Sequence, residues 1–491
     1  MKLVLYNPRA QKSHRRLPLS LLALARVVPR DVPWTLIDEN VDPDAAAALE
    51  RACAERDAVL FVTVMPGPQL RAAVPACRGL KARHPHLRIW WGGYFPSIHF
   101  AACLAEPWLD GVVVGPGEAT TPGLLRALAQ GLPLADVPGL VFREHGGGAE
   151  NGVRRTTGAP LQTSASSGDF PYARVDMERY AARTFLGART FNHHTSVGCP
   201  YVCNFCAVVN VYEGRWLPDP AADVVRAVRT LAIDYRADAV EFHDNNFFAW
   251  EKRTREVAEG IDGLGVSWWG EGRIDTMLGF SGETWEAMAR SGLRMVFYGA
   301  ESGDDEVLAR MDKGGLRVAD IGSLNRLALR HGVRPEFSFV LGTPGDPERE
   351  TSRTFELIRK LKRDNPDCEI ILYLYTPVPL PGMYDTAMAG GFAFPATLDA
   401  WLAPPWSHFA QRRNPLTPWI TPRVIRRIAD FETVLNARFP THTDVRLSPR
   451  SRRALEVLGR IRWEVGAYAA PLELRAMHRL LRYRQPEEMG F

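Results

Sequence analysis

The feature that most constrains this chain is an alternation of short apolar runs with amphipathic stretches, which stops near residue 145 and resumes near residue 190. In the first pass, the runs at 3–6, 34–37, 58–64, 88–91 and 111–114 end at Pro, Gly or Asp, and helical periodicity marks 17–28, 44–55 and 70–83. Runs that are apolar throughout suit strands covered on both faces. Five of them with helical crossovers predict an α/β fold, an open Rossmann-like parallel sheet with helices on both sides. Residues 146–185 are rich in Gly, Ser, Thr and Arg without sustained period, and read as a linker. The second pass predicts strands at 191–197, 239–242, 267–269, 295–298, 337–341 and 370–375. The chain thus divides into 1–145, a linker at 146–185, a second α/β unit at 186–390 and a helical region at 391–491, where 422–438, 450–463 and 471–483 read as helices.

Cys199, Cys203 and Cys206 fall in the pattern C-x3-C-x2-C just after the first strand of the second pass. A [4Fe-4S] cluster ordinarily takes four cysteine ligands, so a site supplying three leaves one iron open to something that is not protein. The competing reading is a zinc site or three buried thiols. Zinc favours four ligands with paired spacing, and no second pair occurs. Cys53, Cys77, Cys103 and Cys368 stand singly in apolar contexts and read as core residues. Cysteines without a framework, and an N-terminus without a basic and apolar leader, predict a reducing, cytoplasmic setting. No run of 18 apolar residues offers a membrane span.

The three-cysteine motif and its setting resemble the radical S-adenosylmethionine (SAM) superfamily, in which SAM chelates the open iron and its reductive cleavage yields a 5'-deoxyadenosyl radical. The resemblance implies a partial (β/α)6 barrel for the six strand–helix units, with reactive groups at strand carboxyl ends as in full barrels. It also implies SAM contacts there. Asp244 and Asn245, in the sequence Glu241 to Asn246, stand where the family accepts the methionyl ammonium, and Arg273 could pair with the SAM carboxylate or simply anchor a salt bridge. Gly299 to Gly303 is similar to the family's G-x-E-S-G, which marks Glu301 and Ser302. Ser338 to Gly345 is similar to the element beside adenine, which marks Ser338, and Phe205 matches the aromatic laid against the adenine ring. His193, His194 and His243 lie near the same strand ends, where a hydrogen-bonded structural role competes with a metal or acid–base one.

At the strand ends of the first sheet stand Asn7, the loop Met65-Pro66-Gly67-Pro68-Gln69, then Gly92-Gly93-Tyr94, and Gly115-Pro116-Gly117-Glu118. Ligands bind beyond the carboxyl ends of such strands, and glycine lets a bulky one approach; ordinary βα turns would look the same. The motifs V-M-P-G-P-Q, W-G-G-Y-F-P and G-P-G-E-A-T resemble the cobalamin-binding domain of class B radical SAM enzymes. The resemblance implies cobalamin contacts from Asn7, Met65, Gly67, Gln69, Gly92, Gly93, Tyr94, Gly115, Gly117 and Glu118. No D-x-H-x-x-G occurs, so bound cobalamin should lack a histidine axial ligand, with residues 65–69 nearest its lower face.

The net charge of +4 is unevenly placed: residues 401–491 hold 16 Arg, no Lys and 8 acidic residues. This region reads as a lid over the barrel mouth, with a membrane-facing surface and a plain solvated face as competing readings. No nucleic-acid module or dense basic stripe occurs. The resemblance implies a methyltransferase that puts a cobalamin-borne methyl group on an unactivated carbon of a small-molecule or lipid-like substrate, with an external electron donor of flavodoxin or ferredoxin type. The alternative is an oxidative cyclase or carbon–carbon coupling enzyme of the same superfamily.

Overall fold

The computed structural model describes residues 1–10, 15–144, 153–156, 158, 169–410, 412 and 416–483. Much of the expected linker, including its Gly and Ser runs at 145–148 and 163–168, lies outside them. The first sheet holds β1 (Lys2–Asn7), β2 (Trp34–Asp38), β3 (Ala58–Thr63), β4 (Arg88–Gly92), β5 (Gly111–Val113), β6 (Leu140–Arg143) and β7 (Val153–Arg155), in the order β2-β1-β3-β4-β5-β6-β7. The first five are parallel, as expected.

The unbroken apolar runs have a direct cause. Leu60 and Val62 pack with Val4, Tyr6 and Trp91 on one face of the sheet, while Val59 and Phe61 pack with Leu3, Leu5 and Trp90 on the other. Trp90 finds room because its cross-strand neighbour is Gly111, where a Cβ would lie 2.3 Å from the indole. Gly111→Ala should therefore lower the unfolding free energy by about 1–3 kcal/mol through overpacking, read as a fall in the urea midpoint.

Two strands were not expected. β6 and β7 add antiparallel to the edge, and β7 falls in the segment read as linker. Its single apolar residue, Val153, is exposed, so backbone pairing forms it and the hydrophobic pattern gives no signal.

The second sheet joins β8 (Thr190–His193), β11 (Ala239–Phe242), β12 (Ser267–Gly272), β13 (Leu293–Glu301), β14 (Arg334–Leu341) and β15 (Glu369–Leu374). All are parallel in the order β15-β14-β13-β12-β11-β8, an open arc with helices outside. The strand expected at 191–197 is broken after His193. Thr195 and Ser196 are drawn off the sheet by the Asp244 carboxylate, and β9 (Ser196–Gly198) pairs instead with β10 (Trp216–Pro218).

The sheets are tied together directly, beside the carboxyl ends of their strands. Leu17 and Asn192 exchange two hydrogen bonds of 2.8 and 3.1 Å, Arg16 pairs with Glu241, and Leu17, Leu19 and Leu22 enter the barrel's outer core.

The region 391–491, expected as a lid, divides in two: its long helices lie off the mouth, and an earlier stretch reaches it. Helix Pro422–Arg438 stacks Phe431 on Phe355 of helix Pro347–Asp364, outside the barrel, and helices Pro449–Val465 and Leu472–Leu481 pack on it. Their buried stripe matches an outer helix. The mouth is reached instead by Phe394, Trp401 and Phe409; Trp401 packs on Phe95, Phe394 on His99, and Phe409 on Phe394.

Candidate active site between the two sheets

The cysteine loop begins at Gly198, whose φ is +77° and where a Cβ would lie 2.1 Å from the Arg215 carbonyl oxygen. Only glycine fits this turn. Cys203 is buried, Cys199 and Cys206 are half-buried, and Cys206 opens helix Ala207–Tyr212. Two sulfurs have side-chain donors, Asn246 Nδ2 at 3.7 Å from Cys199 Sγ and Arg273 Nη1 at 3.4 Å from Cys203 Sγ. Such donors favour thiolates and tune cluster potentials. Without a metal, burial pushes the Cys199 thiol up and the Cys206 thiol up to about 11.

Among the described residues, no three His, Cys, Asp or Glu side chains converge to hold one ion. Zinc needs that convergence, with all its sulfurs about 2.3 Å from one point. A cubane does not, because each thiolate holds a different corner. Three cysteines on one loop, two of them with side-chain donors to sulfur, fit a cluster bound at three corners. The other four cysteines are buried and separate, with Cys77 Sγ accepting from Trp91 Nε1.

Arg273 takes the second of its two expected roles, that of a salt-bridge anchor. Its guanidinium stacks on Tyr201 at 3.7 Å, donates to Asp275 and to the Lys313 carbonyl oxygen, and reaches Cys203, so it supports the cysteine loop. Glu301 forms a buried ion pair with Lys313 at 2.6 Å and sits at φ +60°, a strained setting of the kind found at functional sites. Gly299 makes space for the pair, since a Cβ there would meet both charged groups. Lys313 Nζ lies 5.5 Å from the Phe205 ring.

Asp244 corrects its expected contact with the SAM ammonium. The carboxylate is fully buried and accepts from Thr195 N, Thr195 Oγ1 and Ser196 Oγ. Ser302 Oγ accepts from Asp304 N, and Ser338 Oγ donates to the Tyr298 carbonyl oxygen, so both are occupied within the protein. Asn245 Oδ1 accepts from Gly198 N at 3.1 Å, which pins the start of the cysteine loop.

One cavity of about 640 Å³ lies between the strand ends of both sheets. Phe205 and Asn245 line it from the barrel side, whereas Asp244, Arg273, Glu301, Ser302 and Ser338 do not. From the other side come Asn7 after β1, Met65 and Gln69 after β3, Gly92, Gly93 and Tyr94 after β4, and Gly115, Gly117 and Glu118 after β5. Gly67 is the exception: it abuts helix Pro404–Ala410, where a Cβ would lie 3.1 Å from Ala410 Cβ.

The loop after β3 is fixed by polar contacts. Gln69 donates to Asn7 Oδ1 at 2.8 Å and accepts from Met65 N at 2.7 Å, while Asn7 donates to Asp38. Met65 is left 49% exposed at the cavity. Glycine backbone opposite a held loop fits a broad, flat ligand. Sequence reasoning missed Lys313, Asn246 and Tyr201, and also the cavity-lining Val208, Val211 and Tyr212. The last three follow Cys206 at helical spacing, a signal that was available.

The histidines are neutral by burial. His193 receives or donates a 2.7 Å hydrogen bond with the Tyr172 hydroxyl, and desolvation brings its pKa to about 3. His194 and His243 fall to about 4, His243 despite Glu241 at 3.0 Å. Between pH 6.5 and about 3, the unfolded chain binds a proton at His193 that the native state refuses. Its contribution to stability is therefore complete above pH 6.5 and falls with pH by about 1.4 kcal/mol per unit. A His193→Gln variant should show a flatter dependence of unfolding free energy on pH in that window.

A three-cysteine loop whose Phe205 lines one cavity with a glycine-edged Rossmann-like sheet, the cysteines themselves lying behind that wall, defines a radical SAM protein of the two-domain kind. The Radical SAM superfamily model matches residues 194–358, and that of the B12 binding domain matches residues 16–125. The chain belongs to the class B radical SAM enzymes, whose cofactors are a [4Fe-4S] cluster, SAM and cobalamin. An uncharacterized methyltransferase of Pyrococcus horikoshii is 25% identical over 402 residues, covering 79% of this chain and 83% of that protein. An anaerobic magnesium-protoporphyrin IX monomethyl ester cyclase of Synechocystis sp. is 26% identical over 406 residues, covering 79% and 77%. Among solved structures, the cobalamin-dependent SAM radical enzyme OxsB superposes with a TM-score of 0.71 at 15% identity, over 98% of this chain and 75% of that one. No helix among the described residues is long and apolar enough to cross a membrane.

Proposed function

We propose that this protein is a cobalamin-dependent radical SAM C-methyltransferase acting on an unactivated carbon of a small-molecule or lipid-like substrate. The observation that carries the reading is the single cavity shared by the cysteine loop and the glycine-edged strand ends. When bound, the three cofactors would supply a carbon-centred radical and a transferable methyl group. Cys199, Cys203 and Cys206 hold the cluster, and Arg273 and Asn246 stabilise its sulfurs. Phe205 and Asn245 face SAM, with the Glu301–Lys313 pair bracing the wall behind Phe205. Met65, held by Gln69 and Asn7, would form part of the cobalamin cradle, in a chain that offers no histidine of the D-x-H-x-x-G kind there. Apolar Val208, Val211 and Phe409 exclude water from the space between. Electrons come from an external flavodoxin- or ferredoxin-type donor in a reducing cytoplasm.

The test is anaerobic turnover with SAM carrying a deuterated methyl group. Label recovered in the product supports methylation. Substrate consumption and 5'-deoxyadenosine release without label would remove it in favour of the oxidative cyclase reading, which the similarity to the Synechocystis cyclase favours.

A further inference from the structure

Helix Pro449–Val465 is apolar on two opposite sides. Leu455, Gly459 and Trp463 are buried, and Gly459 lets the helix close on its neighbour, since a Cβ there would lie 2.7 Å from Arg438 N. On the other side Val457, Ile461 and Val465, spaced by four, are 63%, 74% and 70% exposed, with Leu458 beside them at 44%. Helix Leu472–Leu481 repeats the arrangement: Leu474 is buried, while Leu472 and Leu480 are 67% and 75% exposed. Single exposed aliphatics need no explanation, but a periodic run of four on one helix, with two more on the helix packed against it, marks an interaction surface.

The surrounding charge identifies the partner. Arg450, Arg453, Arg460, Arg479 and Arg482 are exposed, and none has an ion pair among the described residues. Among the described residues, the acids that could neutralise the patch are mostly engaged elsewhere: Glu473 holds Arg462 and Asp430 holds Arg475, leaving Glu464 exposed and Glu456 half-buried. A second copy is a poor occupant, because an isologous contact would set these arginines against their own equivalents. An anionic bilayer meets both requirements, taking the aliphatic stripe into the interface and the guanidinium groups among its headgroups.

We infer that helices Pro449–Val465 and Leu472–Leu481 form a docking surface for an anionic lipid bilayer, on which the enzyme lies without spanning it. The inference is independent of the reaction catalysed, since it rests on a face remote from the cavity-lining residues.

The test is co-sedimentation of the full-length holoenzyme with large unilamellar vesicles of phosphatidylcholine, with and without phosphatidylglycerol. The protein should partition onto the phosphatidylglycerol vesicles and be released by salt. Joint substitution Ile461→Glu and Val465→Glu should weaken partitioning about tenfold or more, and Arg450→Glu with Arg453→Glu should abolish the preference for phosphatidylglycerol. Both pairs are solvent-exposed, so thermal melting should match that of the unsubstituted protein. Absence of binding, equal binding to both vesicle types, or binding indifferent to these substitutions would overturn the inference. So would a dimer in sedimentation velocity that Ile461→Glu dissociates, which would make the patch a subunit interface.

Discussion

Cys203→Ala is expected to abolish the broad iron–sulfur absorbance near about 400 nm and, with it, all SAM cleavage. Cys203 is the buried member of the triad and the one whose sulfur meets Arg273. Removing it takes away one corner of a cluster that has no spare cysteine, since the other four are buried elsewhere in the fold. The informative control is Cys77→Ala. That thiol is equally buried but bonded to Trp91, so its loss should lower stability while leaving iron content and absorbance unchanged. Full cluster content in the Cys203 variant would refute the ligand assignment. Zinc in the anaerobically purified protein would refute the cluster itself. Arg273→Met should lie between these limits, retaining iron but shifting the cluster's reduction potential downwards, because a charge-assisted donor to sulfur is lost.

The legibility of this chain followed burial. Parallel strands covered on both faces leave apolar runs, and β1 to β5 fell where those runs were. β7 carries one exposed valine between glycine and arginine, and its existence depends on the free edge of β6, which no local pattern encodes. The break after His193 was hidden for a related reason. Thr195 and Ser196 have strand-like propensity, but Asp244, almost fifty residues later, takes their hydrogen atoms.

The same long-range contact explains why Asp244 was misread as a ligand contact: position after a strand was legible, while occupancy of its oxygens was not. The cobalamin-side loops were easier, because glycine and proline at strand ends constrain backbone locally, and all but Gly67 reached the cavity. The Arg-rich helices were found at nearly the right places, yet put over the wrong surface. An amphipathic stripe shows that a helix has a partner and leaves open which one, and here Phe355 decides it.

Lys313→Ala should be among the most damaging single substitutions outside the cysteines. The Lys313 and Glu301 side chains are 10% and 6% exposed and 2.6 Å apart; burial works against the ammonium, but Glu301 and the Cys203 sulfur together hold its pKa above the usual lysine value. Truncating one partner leaves the other charge buried without compensation, a loss of about 3–5 kcal/mol in pairs of this kind. Because Glu301 holds φ +60° at the end of β13, relaxation of that carboxylate should also disturb Phe205 and the cysteine loop. The lysine backbone carbonyl meanwhile keeps its bond from Arg273, so the cluster itself should still assemble. The expected phenotype is therefore a lowered thermal midpoint and weakened SAM binding with near-normal iron. The double variant Lys313→Met, Glu301→Gln separates the two roles. With no charge left to bury, stability should return towards that of the parent, and SAM affinity should return only if the pair acts through packing. Affinity that stays low in the stable double variant would assign the ion pair itself to the SAM site.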